Sequence, residues 1–144
     1  MSILILMSQY DSQPVAEAFN NLSENREILL WPDVKNWAGV QYAVVWKPEP
    51  GVLSELSGLR AIFSFGAGVD HIVQAPNLPS VPIVRFVEPD LTQRMTEYVT
   101  LHVLYHHRQM NRYADYQKNR IWKNLDQVPA TDVKPGVMGL GVLG

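Results

Sequence analysis

Arg60-Ala61-Ile62-Phe63-Ser64-Phe65-Gly66-Ala67-Gly68-Val69-Asp70 is the stretch whose reading decides the fold. Arg60–Phe65 has the short apolar character of a buried strand. Gly66–Gly68 is a glycine turn, and a brief helix is predicted near Val69–Gln74. A strand that passes through a tight turn into a helix is the working half of a parallel β/α unit.

The same alternation extends in both directions. Towards the N-terminus, Ile3–Met7, Glu27–Trp31 and Tyr42–Trp46 are predicted strands, and Leu53–Leu59 a short helix. Between the first two strands, Val15, Ala18, Phe19 and Leu22 recur at i, i+3, i+4 and i+7, the spacing of one helical face. Ser12 or Asp11 can cap that helix, and Pro14 suits its first turn, where a missing N–H costs nothing. Towards the C-terminus, Val81–Phe86 is a fifth strand, with Pro82 confining it to a sheet edge or standing at its start. Five strands joined by crossover helices predict an α/β fold, a flavodoxin-like doubly wound parallel sheet.

After the fifth strand the pattern changes. Pro89-Asp90 opens a long helix with Asp90 as N-cap and Gln93 three residues on, close to a capping box. Leu91, Met95, Val99 and Val103 form a stripe, widened by Tyr98, Leu101, Leu104 and Tyr105, so that it would pack on two sides. Helical character continues through Asn111–Trp122, and Asp126–Pro135 is a polar connector. Gly136-Val137-Met138 is a predicted short strand that runs into Gly139-Leu140-Gly141-Val142-Leu143-Gly144, a G-x-G-x-x-G pattern. That pattern opens a dinucleotide site, and the helix that would complete it is absent, so the chain is expected to be the front part of something longer. The expected organisation is a module over 1–90, connecting helices over 91–130, and the start of a second domain over 131–144.

Composition sets bounds. The 144 residues are 47% hydrophobic and 18% charged, which fits a folded globular chain and argues against disorder. A net charge of -2 gives no reason to expect nucleic acid or an anionic membrane as partner. The apolar N-terminus lacks a basic segment and turns polar at Ser8, too early for a signal peptide or a membrane span. There is no cysteine, which excludes disulfides and thiolate chemistry and is compatible with a cytoplasmic setting.

Five constellations could carry chemistry. Gly66, Ala67, Gly68 and Val69 sit at the carboxyl end of a strand, where open α/β sheets bind ligands. Their backbone could approach a carboxylate or phosphate, and a plain βα turn explains the same residues as well. Trp46-Lys47 emerges at the same edge and could wall a pocket or attract an anion, or could simply close the core. His102 and His106 have the i, i+4 spacing of a helical metal pair, and His107 adjoins them, but no Glu follows His102. They are read as packed or interface histidines, with no metal site. Glu88 and Asp90 are acids at a helix start, where capping accounts for them. Arg108, Arg112, Lys118, Arg120 and Lys123, interleaved with Tyr113, Tyr116 and Trp122, resemble a nucleic-acid surface, but the overall charge favours docking on another subunit.

Taken together, these residues resemble the D-isomer-specific 2-hydroxyacid dehydrogenases, in particular the glyoxylate/hydroxypyruvate reductase A branch. The resemblance is carried by Trp46–Pro48, Gly66-Ala67-Gly68-Val69-Asp70, Arg85-Phe86, Met95-Thr96-Glu97-Tyr98-Val99, Gln117 to Trp122, and Gly139–Gly144. It implies a flavodoxin-like substrate domain completed by a returning C-terminal segment, with a Rossmann domain inserted between. It implies that the Gly66–Val69 amides hold the carboxylate of a small 2-oxo or 2-hydroxy acid and that Trp46 lines that side. Gly139, Gly141 and Gly144 would begin an NADP or NAD site, and Leu101–Trp122 would lie in a homodimerisation region. The family's catalytic Arg, Glu and His fall downstream, so no catalytic residue is assigned here and the chain alone is expected to be inactive. The competing reading is a non-enzymatic flavodoxin-like binding or regulatory module.

Overall fold

The computed structural model describes residues 1–22, 25–139, 141 and 142. It divides into two compact units, Met1–Val87 and Glu88–Gly144. The first unit is built on five parallel strands: β1 (Ser2–Met7), β2 (Glu27–Leu30), β3 (Val40–Trp46), β4 (Ala61–Ser64) and β5 (Ile83–Val84). Their order across the sheet is β2-β1-β3-β4-β5, the flavodoxin-like doubly wound arrangement. The order reverses between β1 and β3, which places a crevice at the carboxyl ends of those two strands.

Side-chain alternation explains why β1 lies inside the sheet, between β2 and β3. Every residue of β1 is buried. Leu4 and Leu6 face one way with Ala43, Val45 and Ile62, and pack under Leu53 of a 3-10 turn (Val52–Glu55), Leu56 just after it, and Ile72 of helix α2 (Asp70–Val73). Ile3, Ile5 and Met7 face the other way with Val44, against Ala16 of helix α1 (Gln13–Leu22). A strand buried on both faces needs a continuous apolar run, and Ile3–Met7 supplies one.

Helix α1 does not bury the stripe expected of it. Val15, Ala16 and Phe19 turn inward, whereas Ala18 is exposed and Leu22 is 86% exposed. Small Ala16 lets the backbone approach the sheet closely, and this rotates the buried face by one position. Asp11 Oδ1 accepts the Gln13 N–H at 3.0 Å, which decides between the two candidate caps.

The predicted helix at Leu53–Leu59 is only the 3-10 turn, and the predicted fifth strand shrinks to two residues. β5 is an edge strand paired on one side, through Ile62↔Ile83 and Phe63↔Val84. Pro82 serves it as an acceptor only, taking the Ile62 N–H at 2.9 Å. On the α1 face of the sheet, Tyr42, Val44, Phe63, Phe65 and Phe86 line an open groove of about 550 Å3.

The second unit contains helices α3 (Pro89–His107) and α4 (Met110–Lys118). The N-cap of α3 is Glu88 rather than Asp90. Pro89 at the first helical position has no N–H to cap, so the longer Glu88 side chain reaches over it to the Asp90 and Leu91 amides at 2.9 and 2.7 Å. Asp90 instead pairs with Arg94 one turn on. None of the α3 residues is buried, including the Leu91–Val103 stripe. Helicity breaks at Gln109, which has a left-handed φ of 54°. The connector folds back on α4, with Leu125 N–H donating to Tyr113 Oη at 3.1 Å and Gln109 Nε2 donating to the Asp126 carbonyl at 2.6 Å.

Residues 136–138 form no strand. A strand exists only by pairing, and no described residue pairs with them, so Val137 and Met138 stand in solvent.

Candidate functional site

Three chain segments meet at the carboxyl edge of the sheet: Ser8–Tyr10 after β1, Trp46-Lys47 at the end of β3, and Ser64–Asp70 after β4. Ser64 organises the third. Its side chain is buried, and its Oγ accepts the Gly66 N–H at 3.2 Å while donating to the Gly68 carbonyl at 2.9 Å. One hydroxyl thus bends the backbone of Gly66–Gly68 into a closed loop. The Gly66 carbonyl accepts the Phe86 N–H at 3.2 Å, which ties the loop to the chain leaving β5.

This bonding divides the predicted carboxylate-holding amides. The Gly66 N–H is already engaged by Ser64. The Ala67, Gly68 and Val69 N–H groups have no acceptor among the described residues, and these are the donors open to a ligand. Helix α2 is a single turn of four residues, too short to add a useful macrodipole, so the loop amides themselves are the electropositive feature. The Asp70 carboxylate lies close to Gly68, 3.5 Å from where a Cβ there would be, and is the one opposing charge of the loop.

Trp46 forms the wall. A Cβ on Gly66 would overlap the benzo edge of its indole, so glycine is required here for the ring to lie against the loop. The turn beneath it is fixed from β1: Ser8 N–H donates to the Trp46 carbonyl at 3.2 Å and Ser8 Oγ to the Lys47 carbonyl at 2.7 Å. Lys47 adopts a left-handed φ of 47°. Its ammonium donates to Gln9 Oε1 at 3.1 Å and lies 5.8 Å from the indole centroid, within cation–π range. It is thus a positive charge held at the crevice.

His71, on α2, completes the cluster. Its ring centroid is 4.8 Å from that of Trp46, at an interplanar angle of 53°. Trp46 Nε1 and His71 Nε2 are both buried without a hydrogen-bond partner. Burial depresses the His71 pKa below its ordinary 6.5, with Lys47 adding to this and the Val45 backbone and Asp70 opposing it. The imidazole is therefore held neutral. Neither Ser64 nor His71 was singled out by the sequence. Each follows or precedes the glycine turn by two or three residues, and that proximity was the available signal.

The remaining candidates behave differently. His102 and His106 lie on one face of α3 with centroids 6.4 Å apart and the Tyr98 ring tilted against His102 at 4.3 Å; no third donor joins them among the described residues. Glu88 is a cap, as the position of an acid at a helix start suggested. Tyr113, Tyr116, Arg120 and Trp122 border a shallow depression of about 510 Å3, with Trp122 99% exposed.

The nucleotide motif can be assessed only in part, because Leu140, Leu143 and Gly144 lie outside the described residues. Gly139 has a positive φ of 100°, and neither it nor Gly141 has any neighbour where a Cβ would be. A pyrophosphate cradle needs a strand before the turn and a helix after it. Among the described residues neither is formed around Gly139 and Gly141. No helix among the described residues is long and apolar enough to cross a membrane.

A 2-1-3-4-5 parallel sheet with a glycine loop at its carboxyl edge, three of whose amides have no acceptor among the described residues, defines a flavodoxin-like α/β domain. No protein-family model matches the chain. It is 34% identical over its whole length to glyoxylate/hydroxypyruvate reductase A of Photorhabdus laumondii, and covers 48% of that protein. The NADPH-dependent glyoxylate/hydroxypyruvate reductase of Sinorhizobium meliloti, solved with NADP and sulfate, superposes with a TM-score of 0.87. That match is 38% identical and covers 99% of this chain and 46% of the other. A probable 2-hydroxyacid dehydrogenase of Rhizobium etli, solved with NADP, HEPES and L(+)-tartaric acid, gives 0.85 at 34% identity, over 99% of this chain and 46% of the other. The chain belongs to the D-isomer-specific 2-hydroxyacid dehydrogenase family. It spans about half the length of the relatives it matches.

Proposed function

We propose that this chain supplies the substrate side of an NADP(H)-linked 2-hydroxyacid dehydrogenase that reduces glyoxylate or hydroxypyruvate. The single observation that carries this reading is the loop after β4. Three N–H groups without an acceptor among the described residues, at Ala67, Gly68 and Val69, lie at the carboxyl edge of the sheet beside an aromatic wall and a lysine. A carboxylate takes up such donors in charge-assisted hydrogen bonds, stronger than those to a neutral acceptor. Trp46 would shield them from water, and Lys47 would raise the local concentration of the anion.

The role assigned to this part is binding and orientation. The acid–base groups at the site are His71, whose ring packs against Trp46, and Asp70, beside Gly68, and Gly139 and Gly141 stand outside any cradle formed by the described residues. The chain alone is therefore expected to be inactive, and to act in a homodimeric parent. Steady NADPH oxidation by the purified chain with either substrate would overturn the expected inactivity. Binding is tested by titrating oxalate, an unreactive two-carbon diacid, into isotopically labelled chain. The Ala67, Gly68 and Val69 amide resonances are expected to move together. Shifts scattered elsewhere, or none, would refute the assignment.

A further inference from the structure

We propose that His71 is a positioning residue for this site: its imidazole clamps the Trp46 indole against Gly66, so that wall and loop move as one body. The proposal rests on the reading of the loop as a carboxylate site, and its test separates the two.

The geometry is specific. Trp46 comes from the end of β3 and Gly66 from the end of β4, and nothing in their local sequence forces the indole across the gap. The indole has His71 at 4.8 Å, Tyr10 at 6.3 Å and the Lys47 ammonium at 5.8 Å. Of these, Lys47 is Trp46's own neighbour in the chain and Tyr10 is exposed. Only His71 is carried by the same segment as the loop, five residues after Gly66 and on a helix whose Ile72 is fully buried in the core. The clamp is therefore anchored through Ile72, and its imidazole ties β3 to the loop after β4.

The chemistry of the pair fits the role. A neutral imidazole packs against an indole without the cost of a buried charge, and the depressed basicity of His71 keeps it neutral near pH 7. The charged or titratable groups around the pair are Lys47 at the end of β3, Asp70 on α2 and Tyr10 after β1. An imidazolium in van der Waals contact with indole quenches its emission, so the contact has its own optical signature.

The experiment uses the whole chain and the H71A, H71F and W46F variants. Subtracting the emission of W46F isolates Trp46 from the other three tryptophans. H71A is expected to make Trp46 several-fold more accessible to acrylamide and to weaken oxalate by about three- to tenfold, the worth of one aromatic contact. H71F should restore shielding and bring oxalate affinity back within about twofold, since the ring is kept. In the unsubstituted chain Trp46 emission should fall as the pH drops below 6.5, the ordinary histidine value, and H71F should abolish that fall. Far-ultraviolet dichroism unchanged in H71F certifies the fold independently of H71A. Trp46 equally shielded in H71A overturns the clamp, whatever oxalate does. So does a pH response that survives in H71F. If H71A frees Trp46 while oxalate fails to bind even the unsubstituted chain, the clamp stands and the carboxylate reading of the loop falls.

Discussion

Replacing Gly66 by alanine should cost stability through one steric contact, and the neighbouring Gly68 provides a control with the same chemistry. Neither glycine has a positive φ, so alanine is not strained by the backbone at either position. Both substitutions restrict the unfolded chain equally, an effect that by itself stabilises by about 0.4–1 kcal/mol. The environments differ. At Gly66 the new methyl group runs into the benzo edge of Trp46, whereas at Gly68 its nearest atom is Asp70 Oδ2 at 3.5 Å, an ordinary contact. Overpacking of this kind costs about 1–3 kcal/mol. The indole can escape only by leaving His71, which gives up a contact worth about 0.5–1.5 kcal/mol. The difference between G66A and G68A should therefore be about 1–3 kcal/mol, with G68A at or slightly above the unsubstituted chain.

Urea unfolding followed by tryptophan emission is the assay, because Trp31, Trp37 and Trp46 all report on the Met1–Val87 unit. With a slope of about 1 kcal/mol per molar for a unit of this size, the two midpoints should separate by about 1–3 M. Acrylamide quenching should show Trp46 more accessible in G66A and unchanged in G68A. Coincident midpoints with Trp46 equally shielded in both variants would refute the claim that the indole rests on the loop.

S64A should destabilise by about 1–3 kcal/mol, because it strips the partner from the Gly66 N–H and the Gly68 carbonyl at once; it should also broaden the amide resonances of Ala67–Val69, and sharp, unshifted resonances would count against a loop closed by Ser64. E88A should remove about 0.5–2 kcal/mol from the start of α3, read as faster amide exchange at Asp90 and Leu91, the two groups that Glu88 caps. For His71 the folded pKa lies below the unfolded one, so the unfolded chain takes up protons first as acid is added. The urea midpoint should therefore be insensitive to this group above about pH 7.5 and should fall as the pH drops from 6.5 towards the folded value, with that slope reduced in H71F. An identical slope in H71F would remove His71 from the account.

Much of the architecture was legible because parallel sheets leave a strong trace. Ile3–Met7 has the continuous apolar run of a strand buried on both faces, and its interior place between β2 and β3 accords with that burial. What the sequence obscured were features decided by neighbours rather than by periodicity. The buried face of α1 turns on Ala16, whose smallness matters only once the sheet is present. Val81–Phe86 has the composition of a full strand, but an edge position with Pro82 at its start leaves pairing for two residues. Gly136–Met138 has strand composition and no partner, and composition cannot supply one. Glu88 took the capping role from Asp90 because proline at the first helical position moves the open amides one step further along.

The site divides along the same line. Gly66–Val69 and Trp46 were visible because glycine pairs and tryptophan at strand ends are rare, and each was placed at the correct sheet edge. Their mutual arrangement was not, since Trp46 and Gly66 are twenty residues apart and meet only through the β3–β4 register. The groups that fix that arrangement, Ser64 and His71, have ordinary neighbours in sequence and act through single contacts across the turn. The conspicuous histidine spacing is the i, i+4 pair His102 and His106 on α3, and His71 carries no such pattern. Periodicity can nominate residues along one element, but the work of a crevice falls to residues that join two. A βα turn is short enough that the two or three residues on each side of its glycines are always within reach of the loop. Ser64 and His71 occupy such flanking positions, and each joins the loop to a neighbour through a single contact.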